Sequence, residues 1–322
     1  MSEIKVPYGP VYNGACNDAL HIIPEFDRIP FRYESMDNPA LTGENKKFDL
    51  IIKKPTEWDR KTIPIGIVSK QYALIQHRDL FRMAIHAVHE MKIDFDNIVH
   101  YFEYSPNWET FFFSLKFPKQ FTIDPGDGHL LELQLICFNS VDKSKNLMIE
   151  MGWFRQVCAN GLVIGDKMFS MRKKHIGDFN ILHVKDVIQH GLDRIEPEKI
   201  MFNKWYQAKI NEEQFEYWVN HDLKKAWGVK PAVRTYHICQ RGMDVIMKPF
   251  SQGEPTEKDT QDILKVPGIN VPVKNVYAVS QALSWIATRK RDFADRLAWQ
   301  KMIPGMIESF NCSSNSETRS WI

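Results

Sequence analysis

Residues 109–157, ETFFFSLKFPKQFTIDPGDGHLLELQLICFNSVDKSKNLMIEMGWFRQV, decide the fold class. Three runs in it, Glu109 to Phe117, Leu130 to Phe138 and Leu147 to Val157, have strand length and are rich in aromatic and β-branched residues. Between them lies turn chemistry: Asp124-Pro-Gly-Asp-Gly128, whose residues favour tight reversal, and the polar stretch Asn139 to Asn146. With Ile98 to Tyr104 leading through Ser105-Pro-Asn107, the pattern predicts four consecutive antiparallel strands, a β-meander.

Upstream, Phe48 to Lys53 and Ile63 to Ser69 predict a hairpin across the polar Thr56 to Thr62. Leu80, Phe81, Ala84, Ile85, Val88 and Met91 then recur at spacings of three and four, predicting an amphipathic helix opened at Gln76 or His77 and closed at Lys92. Residues 1–47 carry Pro7, Pro10, Pro24, Pro30 and Pro39, too many for a helix interior or a central strand, and read as an extended arm.

Downstream the period lengthens. His183 to Ile195 is helical, and Pro197 suits the first turn of another helix. Asn211-Glu-Glu-Gln214 has the form of a capping box for a helix running to Trp227 and ended by Gly228. Asn275 to Thr288 and Asp292 to Ser309 are also helical, Arg234 to Met247 is ambiguous, and Gln252 to Val273 reads as a Gly- and Pro-bearing loop. The expected class is α+β: an antiparallel β-meander sheet packed on a helix, followed by a mainly helical C-terminal half. The expected division is an arm (1–47), a sheet-plus-helix core (48–180), a helical region packed on it (181–311) and a flexible tail (312–322).

Composition narrows the function. Of the 322 residues, 43% are apolar and 12% aromatic, and the formal net charge of +2 leaves any polynucleotide surface to a local patch. The start MSEIKVPYGP lacks the apolar core of a signal peptide, and no run approaches the roughly 18 apolar residues of a membrane span, so a cytoplasmic location without membrane association is expected. The five cysteines are odd in number and form no C-x-x-C pair, which argues against a disulfide framework or zinc knuckle.

No catalytic signature is present. His86 and His89 stand three apart on the predicted helix, but His86-Ala-Val-His-Glu90 matches no zinc-protease order. Asp124 with Asp127, and Glu212 with Glu213, are explained by turn and capping preferences. Cys158 reads as a small buried hydrophobe, and no phosphate-cradling G-x-x-x-x-G-K-S/T string occurs. Neither metal nor cofactor is expected.

The candidate binding stretch runs from Met151 to Asn180, MGWFRQVCANGLVIGDKMFSMRKKHIGDFN. Asn160-Gly161 offers a reversal after the strand. Arg155, Lys167, Arg172, Lys173 and Lys174 supply cations for phosphates, and Trp153 and Phe169 supply rings for bases. A charge run is also what a solvated face looks like.

Three segments resemble the phage/plasmid-like protein family of unknown function, found mainly in bacteriophages, plasmids and integrated elements. Gly66-Ile-Val-Ser-Lys-Gln-Tyr72, through Leu80-Phe81, is similar to that family's strand, Val-Ser-x-x-Tyr turn and helix. Cys137-Phe-Asn-Ser-Val-Asp142 and Phe154-Arg-Gln-Val-Cys-Ala-Asn-Gly-Leu162 resemble its Asn-Ser-x-Asp turn and Arg-x-x-Cys-x-Asn strand end, and Val273 to Ser280 matches loosely. The motif positions are thus Ser69, Tyr72, Asn139, Ser140, Asp142, Arg155, Cys158, Asn160 and Gly161. Here Val141 stands where many relatives carry a small or polar residue, and Lys143 where they carry glycine. The resemblance implies a mobile-element origin and no established activity. A looser likeness, at the level of fold, is to the single-strand annealing proteins of phages.

Two functions follow as expectations. One is non-enzymatic binding of nucleic acid, single-stranded DNA in recombination or replication, through the cations and rings just named. The other is a protein that binds a host protein, such as a defence-system component, through an aromatic surface of Trp205, Tyr206, Trp218 and Trp227. Homo-oligomerisation is left open.

Overall fold

The computed structural model describes residues 20–34, 37–38, 42–57, 59–94, 100–155, 160–162, 170–173, 179–247, 260–290 and 293–314. These divide into two compact units. The first takes the described residues of Met1–Phe121, Leu133–Met151 and Gly165–Asp193; the second takes those of Thr122–Glu132, Gly152–Ile164 and Arg194–Ile322.

In unit 1, β1 (Phe26–Tyr33), β2 (Gly43–Lys53) and β3 (Ile63–Ser69) form an antiparallel sheet in chain order. The expected hairpin is therefore present, and part of the stretch read as an arm adds a strand to it. Helix α1 (His77–Glu90) follows and buries Leu80, Phe81, Ala84 and Val88 of the face its spacing predicted, with Ala87 added and Ile85 and Met91 only half-buried. Its N-cap residue Gln76 uses its side chain elsewhere: Oε1 accepts from the Phe26 amide at 2.9 Å and Nε2 donates to the Phe26 carbonyl at 2.7 Å, tying α1 to β1.

The meander follows as β4 (His100–Tyr104), β5 (Thr110–Lys116), the short β6 (Thr122–Ile123), β7 (Leu131–Ser140) and β8 (Leu147–Arg155). Two shorter strands come next, β9 (Asn160–Leu162) and β10 (Ser170–Lys173). The order is β10-β8-β7-β5-β4, with β6 on β7 and β9 on β8. Central β5 buries Phe111, Phe112, Phe113 and Leu115, which accounts for its unbroken aromatic run. Phe113 meets Phe81 of α1 edge-on at 5.0 Å. Asp124 makes the predicted turn by accepting from the Gly126 amide at 2.8 Å and the Gly128 amide at 3.3 Å. Asn160-Gly161 does not make the reversal expected of it: both residues already pair with β8, Asn160 opposite Arg155 and Gly161 opposite Phe154.

Helix α2 (Ile181–Asp193) completes unit 1, and its Gly191 leaves room for Met151, whose Cγ would stand 2.4 Å from an added Cβ. Unit 2 contains α3 (Ile195–Gln207), α4 (Glu212–Trp218), a π-turn (Val219–Leu223), α5 (Lys224–Trp227), α6 (Val229–Arg241), α7 (Val276–Thr288) and α8 (Phe293–Ser314). The expected cap is made at Asn211, whose side chain accepts from the Gln214 amide at 3.1 Å. Gly228 stops α5 at φ 93°. Helix α7 is buried on every side, from Val276 to Ala287, as befits a helix apolar around its circumference. Between α6 and α7 the structure departs from the expected loop: β11 (Met243–Met247) pairs with β12 (Thr260–Lys265). With Thr260, Gln261, Asp262 and Lys265 among its six residues, β12 lacks apolar alternation and owes its conformation to pairing with β11.

Candidate nucleic-acid interface

Two of the residues expected to meet a polynucleotide are instead built into the interior of unit 2. Arg155 is 3% exposed; its Nη2 donates to Asp127 Oδ2 at 2.5 Å, and its guanidinium lies 6.0 Å from the Tyr277 ring centre. Trp153 is 1% exposed and donates its indole N–H to the buried Glu198. A neutralised guanidinium and an enclosed indole offer nothing to phosphate or base, so both assignments are corrected to core roles. Arg172 and Lys173 lie on β10, the outer strand beside β8. Lys167, Phe169, Lys174 and Cys158 lie outside the described residues.

The motif positions of unit 1 form a clasp between the two strings. Tyr72 donates its hydroxyl to the Ser140 carbonyl at 3.0 Å, and burial pushes that hydroxyl's pKa upward. Asn139 Nδ2 donates to the Ile75 carbonyl at 2.8 Å and to His77 Nδ1 at 3.0 Å, while His77 Nε2 reaches the Trp108 carbonyl at 2.9 Å. A carbonyl only accepts, so the Nε2 position carries the His77 proton and Nδ1 is free to accept. Ser69 and Tyr72 offer their carbonyls to Arg28 at 2.9 and 2.6 Å. Gly66 approaches Asp142 so closely that an added Cβ would stand 3.0 Å from the aspartate Cβ. These polar residues hold strand β3, its turn and the end of β7 together, which is a structural task.

Lys143 sits where the backbone favours glycine. Its φ is 63°, a left-handed conformation costing an L-residue roughly 1–2 kcal/mol. Lys143→Gly removes that strain but adds freedom to the unfolded chain, worth about 0.4–1 kcal/mol. A net gain of about 0.5–1 kcal/mol is expected, read as a higher urea midpoint; a lower midpoint would show that the Lys143 side chain, 6.0 Å over Phe48, outweighs the strain.

The aromatic surface expected for a host protein is also internal: Trp205 is 3%, Trp218 0% and Trp227 7% exposed, and Tyr206 is half-buried. Trp218 packs on Phe215 and Phe310. What the same helix shows outward is different. Tyr217 is 59% exposed and stacks on His221, with ring centres 4.0 Å apart and planes at 18°; His221 Nδ1 donates to the Tyr217 carbonyl at 2.8 Å. Beside this pair lies an open groove of about 500 Å³ lined by Asn220, His221, Asp222, Lys224, Lys225 and Gly228. The π-turn creates it. One residue more per turn at Val219–Leu223 lets Trp218, Val219, Leu223 and Trp227 all stay inward while His221, Lys224 and Lys225 line the groove. Val229 also lines the groove, so it opens at the start of α6, where helix amides lack intrahelical partners.

Nothing metal-like accompanies this surface. Among the described residues no three His, Cys, Asp or Glu side chains group for an ion. Glu90 beside His86, at 3.4 Å, is also taken by Lys185. No described helix is long and apolar enough to cross a membrane.

No curated protein and no solved structure matches the chain. The domain of unknown function DUF932 matches residues 64–269, an interval that holds every motif position from Ser69 to Gly161 and leaves the looser Val273–Ser280 segment outside. Because that match takes in more than half of the chain, and the clasp of Tyr72, Asn139 and Ser140 lies inside it, the protein belongs to the DUF932 family.

Proposed function

We propose that this is a nucleic-acid-binding protein of a phage or plasmid element, taking single strands along the Tyr217–His221 face of unit 2. The mobile-element origin rests on the motif resemblance. The binding reading is supported chiefly by one observation: an exposed ring pair beside a groove whose lining includes Lys224 and Lys225. Stacking on an aromatic platform accepts any base, and lysines beside it meet the backbone as point charges. Asp222 in the groove works against phosphate and keeps the surface selective for strands that seat on the tyrosine.

The test is binding of oligothymidylate as a function of salt. Tyr217→Ala is expected to cost about 1–3 kcal/mol of affinity. Lys224→Gln with Lys225→Gln is expected to reduce the slope of log K against log salt by about 1.4, two contacts at roughly 0.7 each for single strands. No binding at low salt overturns nucleic-acid binding altogether. Binding that ignores both changes moves the interface away from this groove, with Arg172 and Lys173 of the outer strand next to be changed.

A further inference from the structure

The groove beside Tyr217 holds a group for which phosphate has no use. Asp222 lies half-buried in its lining, and among the described residues its carboxylate makes no hydrogen bond and no ion pair. Asn220 and Lys225, both exposed in the same groove, are likewise without side-chain partners among the described residues. His221 joins this lining to the ring stack. It packs on Tyr217 with ring centres 4.0 Å apart, and its Nδ1 donates to the Tyr217 carbonyl at 2.8 Å, which fixes the ring.

An ionised carboxylate only accepts hydrogen bonds, and it repels the backbone of a strand laid beside it. Its place next to a stacking platform is explained by a base that brings donors. Guanine carries N1–H and the N2 amine side by side on its pairing edge. Adenine and cytosine set a single amine beside an acceptor nitrogen, and thymine sets one N–H between two carbonyls. In a single strand this edge is free to be read while the base stacks. Two parallel N–H···O bonds to one carboxylate add selectivity as well as strength.

We propose that Asp222 reads guanine on the Tyr217–His221 face, its two oxygens accepting from N1–H and from the N2 amine. The ring pair carries the base, the Asn220 amide offers a donor for the guanine O6, and Lys225 meets phosphate as a point charge. This contact deepens the single-strand reading of the groove and rests on that face taking bases at all. Guanine reaches such a surface within a strand or as a free nucleotide, and the test separates the two.

Fluorescence anisotropy on the intact protein at low salt compares thymine oligomers that carry one central guanine, adenine or inosine. Guanine and adenine are both purines, so their difference reports the edge and not the stack. The guanine strand should bind roughly 5- to 150-fold more tightly than the adenine strand, the range for one bidentate base contact. Inosine, which keeps N1–H and lacks the amine, should fall between them. Asp222→Asn should abolish or reverse the preference, because a carboxamide matches the donor-and-acceptor edge of adenine. Equal binding of the guanine and adenine strands, an inosine as good as guanine, or a preference that survives Asp222→Asn overturns the guanine contact and leaves strand binding standing. Displacement of the guanine strand by guanosine monophosphate, but not by adenosine monophosphate, extends the site to the free nucleotide; a preference that neither displaces assigns it to a base held in a strand. If no strand binds, the strand reading falls. The guanine site then survives only if calorimetry shows guanosine monophosphate bound and adenosine monophosphate not, and binding of neither overturns it as well.

Discussion

Asp244→Ala is expected to destabilise unit 2 by about 3–5 kcal/mol, the largest loss of any single change considered, because it removes one member of a buried ion pair and strands the other. Asp244 is 0% exposed and satisfies four donors at once, including both arms of Arg234 and the Trp285 indole. Burial works against its charge, but the Arg234 hydrogen bonds and charge outweigh that and leave the carboxyl below its usual pKa. The stability it contributes is therefore present above the ordinary aspartate pKa and is lost as pH falls through the lower folded value. Urea denaturation at pH 7 gives the measurement. A loss under about 1 kcal/mol would mean that Arg234, whose side chain is 22% exposed, turns to water at little cost and that the network is peripheral. Replacing both partners with apolar residues of similar volume should cost much less than either single change.

The network illustrates what the sequence does and does not reveal. Strand and helix positions were legible where periodicity is dictated by a single buried face or by turn chemistry: α1 through its three-and-four spacing, the meander through Asp124-Pro-Gly, the end of α5 through Gly228. Exposure was not legible where a strand is buried on both sides. Trp153 and Arg155 stand on either side of Phe154 at the end of β8, yet β8 is buried continuously from Leu147 to Trp153, and Arg155 finds its counter-ion 28 residues back at Asp127. A signal was available, since Met148-Ile-Glu-Met-Gly-Trp153 holds one polar residue in six, the mark of a strand with no solvated face. β12 was missed because its residues carry no alternation and its partner β11 lies in an ambiguous stretch. The π-turn was hidden as well. Read at 3.6 residues per turn, Trp218 and Trp227 fall on opposite faces of one helix; the extra residue of the π-turn brings both inward.

Glu198→Gln is expected to act in the opposite direction to Asp244→Ala and to depend on pH. Burial is the main cause that pushes the Glu198 carboxyl up to about 7 from an ordinary 4.5, against the Trp153 indole donor and Arg194 at 3.9 Å, which favour the charged form. A carboxyl whose folded pKa is raised binds its proton more tightly in the fold than in the unfolded chain. Stability therefore falls as pH rises from about 4.5 to about 7 and stays low above that, by about 3 kcal/mol if the whole shift is realised. Glutamine keeps a carbonyl for the Trp153 N–H but carries no charge to desolvate. At pH 8 the variant should gain up to about 3 kcal/mol over the parent, and at pH 4 the two should be nearly equal, leaving a flatter stability profile for the variant. Urea midpoints at pH 4, 6 and 8 decide it. If the variant is weaker than the parent at pH 8 and less so at pH 4, the carboxylate is charged and held in the fold, and Arg194, not burial, sets its state. That outcome would make Trp153, Glu198 and Arg194 an ion-supported brace for α3, in place of the neutral hydrogen bond that the enclosed indole and 4% exposed carboxyl favour.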